Sequence, residues 1–70
     1  MQIRIADRLR ELMHEQGLNQ VRLAEQTGIG QNTISAWLLG KKQPCIHSLW
    51  LLADHFQVSI DYLVGRSEIE

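Results

Sequence analysis

The sequence predicts an all-α domain of five short helices. Apolar residues recur at three- and four-residue spacing in successive windows, while the alternation of a half-buried strand appears nowhere. Glycine, asparagine, serine and proline fall between those windows, where helices stop and start. With 70 residues, 44% of them hydrophobic, the chain can build one compact core. A domain of this length buries roughly 60% of its unfolded surface, so its stability margin is thin.

Ile5, Leu9, Leu12 and Met13 mark the inner face of a first helix, with Arg4, Asp7, Arg8, Arg10 and Glu11 between them on a polar face and Gly17 at its end. Asn19 is placed to cap a second helix, its side-chain oxygen accepting an N–H of the first turn, and that helix runs to about Thr27. A third begins after Gly30 and closes at Gly40 by a left-handed cap, followed by the polar turn Lys41-Lys42-Gln43-Pro44. The fourth covers about Ile46 to Phe56, with Ile46, Leu49, Leu52, Ala53 and Phe56 inward and Cys45 at the N-cap. Ser59 caps a short fifth helix carrying Ile60, Leu63 and Val64, and Gly65 ends it. Residues 1–66 are read as one domain and 67–70 as a short flexible acidic tail holding Glu68 and Glu70.

The second and third helices join across Gly28-Ile29-Gly30, the sequence form of a helix-turn-helix. Ala24 offers only a methyl group where two steeply crossed helices approach, and Gly28 supplies the positive φ of a tight corner. Leu23, Ile29, Ile34 and Trp37 point inward. That leaves Gln31, Asn32 and Thr33 outside at the start of the third helix, all able to hydrogen-bond base edges or phosphates. The corner reads as a nucleic-acid reader.

The net charge of −1 weighs against that reading, since DNA-binding domains are usually basic. Its distribution weighs the other way: from Asn19 to Pro44 the charged residues are Arg22, Lys41 and Lys42 against Glu25, a local +2. One cysteine excludes an internal disulfide and fits a reducing compartment. No apolar run is long enough to span a bilayer and no secretory signal precedes the first helix, so the chain is read as cytoplasmic.

From about Ile5 to Gly65 the chain resembles the Cro/C1-type (XRE-like) helix-turn-helix domains of phage repressors and bacterial regulators. The resemblance is carried by Arg8-Leu9-Arg10-Glu11-Leu12, Gly17-Leu18-Asn19-Gln20, Leu23-Ala24, Gly28-Ile29, Thr33-Ile34-Ser35-Ala36-Trp37, Gly40-Lys41-Lys42-Gln43-Pro44 and Val58-Ser59-Ile60-Asp61-Tyr62-Leu63. It implies a lambda-repressor-like fold, the third helix in the major groove, and a two-fold dimer on a palindromic operator. It also implies that Gln20 grips a phosphate, that Gln31, Asn32 and Ala36 read bases, and that Lys41 and Lys42 hold the DNA backbone. Asn19, Gly30, Thr33 and Ser35 complete the candidate DNA-binding set. Gly30 stands where relatives carry a Ser or Thr cap, and Ala36 where many carry a long polar side chain. Met13 and Leu38 replace a family Arg–Glu salt bridge, a swap of a buried ion pair for an apolar contact.

Each of these residues also has an ordinary structural reading. Gln31 and Asn32 suit a solvated helix face, Lys41 and Lys42 suit a polar turn, and Trp37, at helical spacing from Ile34, suits the core. A metal site at Cys45 and His47 lacks ligands, because His14 and His55 lie in other helices. Cys45 at a helix terminus acquires instead a lowered thiol pKa. The first function read from the sequence is a homodimeric, sequence-specific transcriptional regulator acting as a repressor on double-stranded DNA. Trp50, Leu51, Tyr62 and Val64 are the candidates for its dimer interface. The second is a protein-interaction module of antitoxin or partner-binding type, supported by Leu39, Trp50 and Leu51. An enzyme is the weakest reading, for the sequence pairs no nucleophile with a base and has little bulk for a pocket. No cofactor and no small-molecule ligand are expected.

Overall fold

The structure is a computed structural model and describes residues 4–69. Its helices are α1 (Ile5–Glu15), α2 (Gln20–Thr27), α3 (Gln31–Leu38), α4 (Ile46–Phe56) and α5 (Ile60–Val64), and the described residues contain no strand. α1 packs on α3 and α5, α2 on α3 and α4, and α4 on α5. Each helix sends one side chain fully out of reach of solvent: Leu9, Leu23, Ile34, Leu52 and Leu63. Ile5, Leu12, Met13, Trp37, Ala53, Phe56 and Tyr62 close around them.

The helix ends follow local chemistry. Asn19 Oδ1 accepts the Arg22 N–H at 2.8 Å and Ser59 Oγ the Tyr62 N–H at 3.0 Å, so both expected side-chain caps are formed. After α3 the Gly40 N–H donates to the Trp37 carbonyl and the Lys41 N–H to the Ala36 carbonyl, the paired bonds of a Schellman motif. Gly65, at φ +88°, is constrained by more than its dihedral. A Cβ there would stand 2.8 Å from Cβ of Arg4, beside the point where the Arg4 N–H donates to the Val64 carbonyl at 3.0 Å.

Three side chains depart from the sequence reading. Ile46, expected inward, is 72% exposed, because the first turn of α4 precedes the point where that helix meets the core at Leu49 and Leu52. Arg8, expected on the polar face of α1, is only 5% exposed. Its guanidinium lies 4.3 Å over the Tyr62 ring, and Nη2 donates to Glu68 Oε1 at 3.0 Å and to the Ser67 carbonyl at 3.4 Å. Tyr62, expected at a dimer interface, is therefore occupied within the chain as the floor beneath that cation. Burial works to lower the proton affinity of Arg8, but the Tyr62 side chain and the Glu68 carboxylate outweigh it and raise the pKa above its ordinary value. The segment read as a tail thus supplies both hydrogen-bond acceptors of a buried cation, while Glu70 lies outside the described residues.

Arg8→Ala removes a buried stem, a ring contact and a charge, and is expected to lower the melting temperature by on the order of 10 °C. Glu68→Ala leaves the guanidinium on Tyr62 and should cost clearly less. Calorimetry of the two variants checks the order; equal losses would assign the whole effect to the ion pair.

Met13 and Leu38 line one groove of about 320 Å³ with Leu18, Asn19, Gln20, Arg10 and His14, and Arg10 Nη2 donates to the Leu38 carbonyl at 2.9 Å. A cation of α1 thereby meets the C-terminal turn of α3 without an acidic partner there. Met13→Arg should destabilise the fold by about 1–3 kcal/mol, and Leu38→Glu, half-buried beside Arg10, by less. The double variant should recover much of that, which a urea double-mutant cycle measures; additive losses would show the pair to be uncoupled.

Candidate nucleic-acid interface

The corner between α2 and α3 is held by backbone and hydroxyl bonds. Gly28, at φ +77°, returns its N–H to the Ala24 carbonyl at 2.9 Å, a left-handed turn that favours glycine. Thr27 Oγ1 donates to the Leu23 carbonyl at 2.7 Å and accepts the Ile29 N–H at 3.3 Å. Gly30 caps α3 through its carbonyl alone, which accepts from the N–H groups of Thr33 and Ile34. A Cβ on Gly30 would meet Thr33 Oγ1 at 3.7 Å, an ordinary contact, so a Ser or Thr cap would fit.

Ile34 and Trp37 anchor α3 to the core and thereby fix which side chains remain outside. Gln31, Asn32 and Thr33 are exposed, and Ser35 and Ala36 are half-buried. At the other end of α3, roughly 12 Å along its axis, the groove holding Leu38 also takes Asn19 and Gln20 from the start of α2. Lys41 and Lys42 follow after Leu39 and Gly40, exposed and without an ion pair among the described residues. Arg22, by contrast, faces Glu25 at 3.9 Å, so the local positive charge resides in the two lysines. The candidate residues thus divide into an amide-bearing group at the N-terminal end of α3 and a cationic and amide group at its C-terminal end.

The four interface candidates do not form one patch. Trp50 is 67% exposed and lines an open groove of about 350 Å³ with Ala53, Asp54, Gln57, Val58 and Ile60. Leu51, half-buried, turns to a different groove with Gln26, Thr27 and His55. Val64 is half-buried beside Arg4, and Tyr62 is in the core. His55 Nε2 is buried without a hydrogen-bond partner among the described residues, a feature with no signal in the sequence. No three His, Cys, Asp or Glu side chains cluster as metal ligands among the described residues. No described helix is long and apolar enough to cross a membrane.

Two helices meeting at a tight corner, inside a five-helix all-α domain, with the second helix's start left polar and open, define the helix-turn-helix class. The family profile described as "Helix-turn-helix" matches residues 9–63, and the chain belongs to the Cro/C1-type helix-turn-helix family. It is 32% identical over 65 residues to the HTH-type transcriptional regulator ImmR of Bacillus subtilis, covering 93% of this chain and 51% of that protein. It is 35% identical over 63 residues to the cryptic phage CTXphi transcriptional repressor RstR of Vibrio cholerae, covering 90% and 57%. The crystal structure of a transcriptional regulator from Listeria innocua superimposes with a TM-score of 0.86 at 33% identity, over all of this chain and 65% of that one. The chain spans about half the length of the curated relatives it matches.

Cys45, exposed at the N-cap of α4, has Sγ 3.5 Å from Ser48 Oγ. The Ser48 hydroxyl first, and its backbone amide next, hold the thiol below its ordinary pKa. A depressed folded-state pKa favours the native state once the thiolate has formed, and that contribution is lost as pH falls through the folded value. The rate of iodoacetamide alkylation should therefore turn on at lower pH in the folded protein than in urea. Ser48→Ala should move the folded midpoint upward; an unmoved midpoint would remove Ser48 as the cause.

Proposed function

We propose that this chain is the DNA-binding domain of a transcriptional regulator, a homodimer that reads a palindromic operator in double-stranded DNA and represses by occupying a promoter. The observation that carries this reading is the exposed run Gln31-Asn32-Thr33 at the start of the corner's second helix. Amide side chains there can pair bidentately with adenine in the major groove. Lys41 and Lys42, exposed beyond the other end of α3 and without an ion pair among the described residues, supply phosphate contacts, with Gln20 and Asn19 beside that end. Resemblance to proteins named as a regulator and a repressor supports the same reading. The DNA-binding unit runs through Glu68, whose carboxylate pairs with Arg8, and acts in the cytoplasm with no cofactor. The two-fold contact is placed on the Trp50 side of α4, because that large side chain is exposed at the edge of an open groove. The same exposure favours the second reading, a module whose main partner is another protein.

Selection of bound sequences from random duplex DNA tests the first reading. Half-sites about 34 Å apart are expected for a dimer. On the enriched site Gln31→Ala should cost about 1–3 kcal/mol and relax preference at one base pair. Replacing Lys41 and Lys42 together by Ala should weaken every sequence and reduce the log–log salt slope by about two. No enrichment at any salt concentration would transfer the domain to the second reading.

A further inference from the structure

We infer that Leu39 is a base-reading residue, its side chain meeting the C5-methyl group of a thymine beyond the bases faced by Gln31 and Asn32. This deepens the proposed DNA-binding reading and rests on it. Leu39 follows the last residue of α3 but keeps the helix's geometry: its φ of −84° and ψ of −5° are right-handed, and its N–H donates to the Ser35 carbonyl at 3.0 Å. The bonds from Gly40 to Trp37 and from Lys41 to Ala36 close the turn behind it. Its side chain is therefore set by the helical register and not by a loose loop. At 100° per residue Leu39 falls between Gln31 and Ser35 on one side and Asn32 and Ala36 on the other, opposite Trp37. It stands in the middle of the outward face.

Leu39 is 66% exposed, while its neighbour Leu38 turns into the groove beside Met13. A single exposed leucine needs no explanation. Its position on this face does, because Ala36 is the other small apolar group there and the two divide the face chemically. The N-terminal end offers amides; the C-terminal end offers a methyl and an isobutyl group. In the major groove the thymine methyl is the apolar group by which a base edge can answer them. Eight residues at 1.5 Å separate Leu39 from Gln31 by roughly 12 Å, the span of three to four base steps. Lys41 and Lys42, two and three residues beyond it, draw that end of the helix to the phosphates.

The test replaces each thymine of the enriched duplex in turn by deoxyuridine, which removes the methyl group and leaves every hydrogen-bonding atom, and measures affinity by fluorescence anisotropy. For the unaltered protein one substitution should weaken binding roughly three- to tenfold, the size expected for losing an apolar contact of one or two carbons. Leu39→Ala, at an exposed site that the core does not use, should lose a similar factor on the thymine duplex and become indifferent to deoxyuridine at that position. If Leu39→Ala responds to the whole deoxyuridine series as the unaltered protein does, the inference is wrong and the DNA-binding reading stands. If Leu39→Ala instead changes sedimentation of the free protein and leaves the series unchanged, Leu39 belongs to a protein contact and the inference is overturned. Absence of any enriched duplex overturns the DNA-binding reading and this inference together.

Discussion

No helix here is long enough to persist alone: α2 and α3 have 8 residues each and α5 has 5, whereas isolated helices below about 12–15 residues are marginal in water. The fold therefore depends on one shared aliphatic centre to which every helix contributes a single fully buried residue, Leu9, Leu23, Ile34, Leu52 and Leu63. Because Ile34 and Trp37, with Leu38 packed beside them, meet the packing demand on α3, its exposed residues Gln31, Asn32 and Thr33 are free of structural duty. That division allows a reading face to change without the core changing.

Arg8 is the polar counterpart of that centre. A buried cation is costly unless it is paired and hydrogen-bonded, and this one draws its partners from the far end of the sequence: the Tyr62 ring below, Glu68 and the Ser67 carbonyl beside it. Sixty residues of sequence separate Arg8 from Glu68. α1 and α5 are thereby joined by charge as well as by apolar contact. The pairing also gives the residues after Gly65 a structural role within the domain.

Helix order, the caps at Asn19 and Ser59, the left-handed glycines and the corner at Gly28 were legible in the sequence, because each is decided by chemistry within four or five residues. Arg8 was not, since local periodicity places it among charged neighbours on α1 and only α5 and Glu68, far along the chain, determine its burial. Ile46 misled for a related reason: helical spacing assigns a face, not the point along the helix where the neighbour begins. Tyr62 was read as surface when it is buried beneath a cation. At the candidate interface the exposed amides and lysines were legible from pattern. The separation of Trp50 from Leu51 into different grooves was not, because adjacent residues on a helix point about 100° apart and only the surrounding elements decide what each meets.

The hydrogen bond from Arg4 to Val64, the absence of space for even one carbon between Gly65 and Arg4, and the return of Ser67 and Glu68 to Arg8 keep the start of α1 and the segment after α5 side by side. A chain that enters and leaves side by side can be spliced into a surface loop of a host protein without prising the host apart. Equally, its two ends can be joined by a few residues and the circle reopened in the polar turn after Gly40. The order of the helices along the gene would change while their arrangement in space would not.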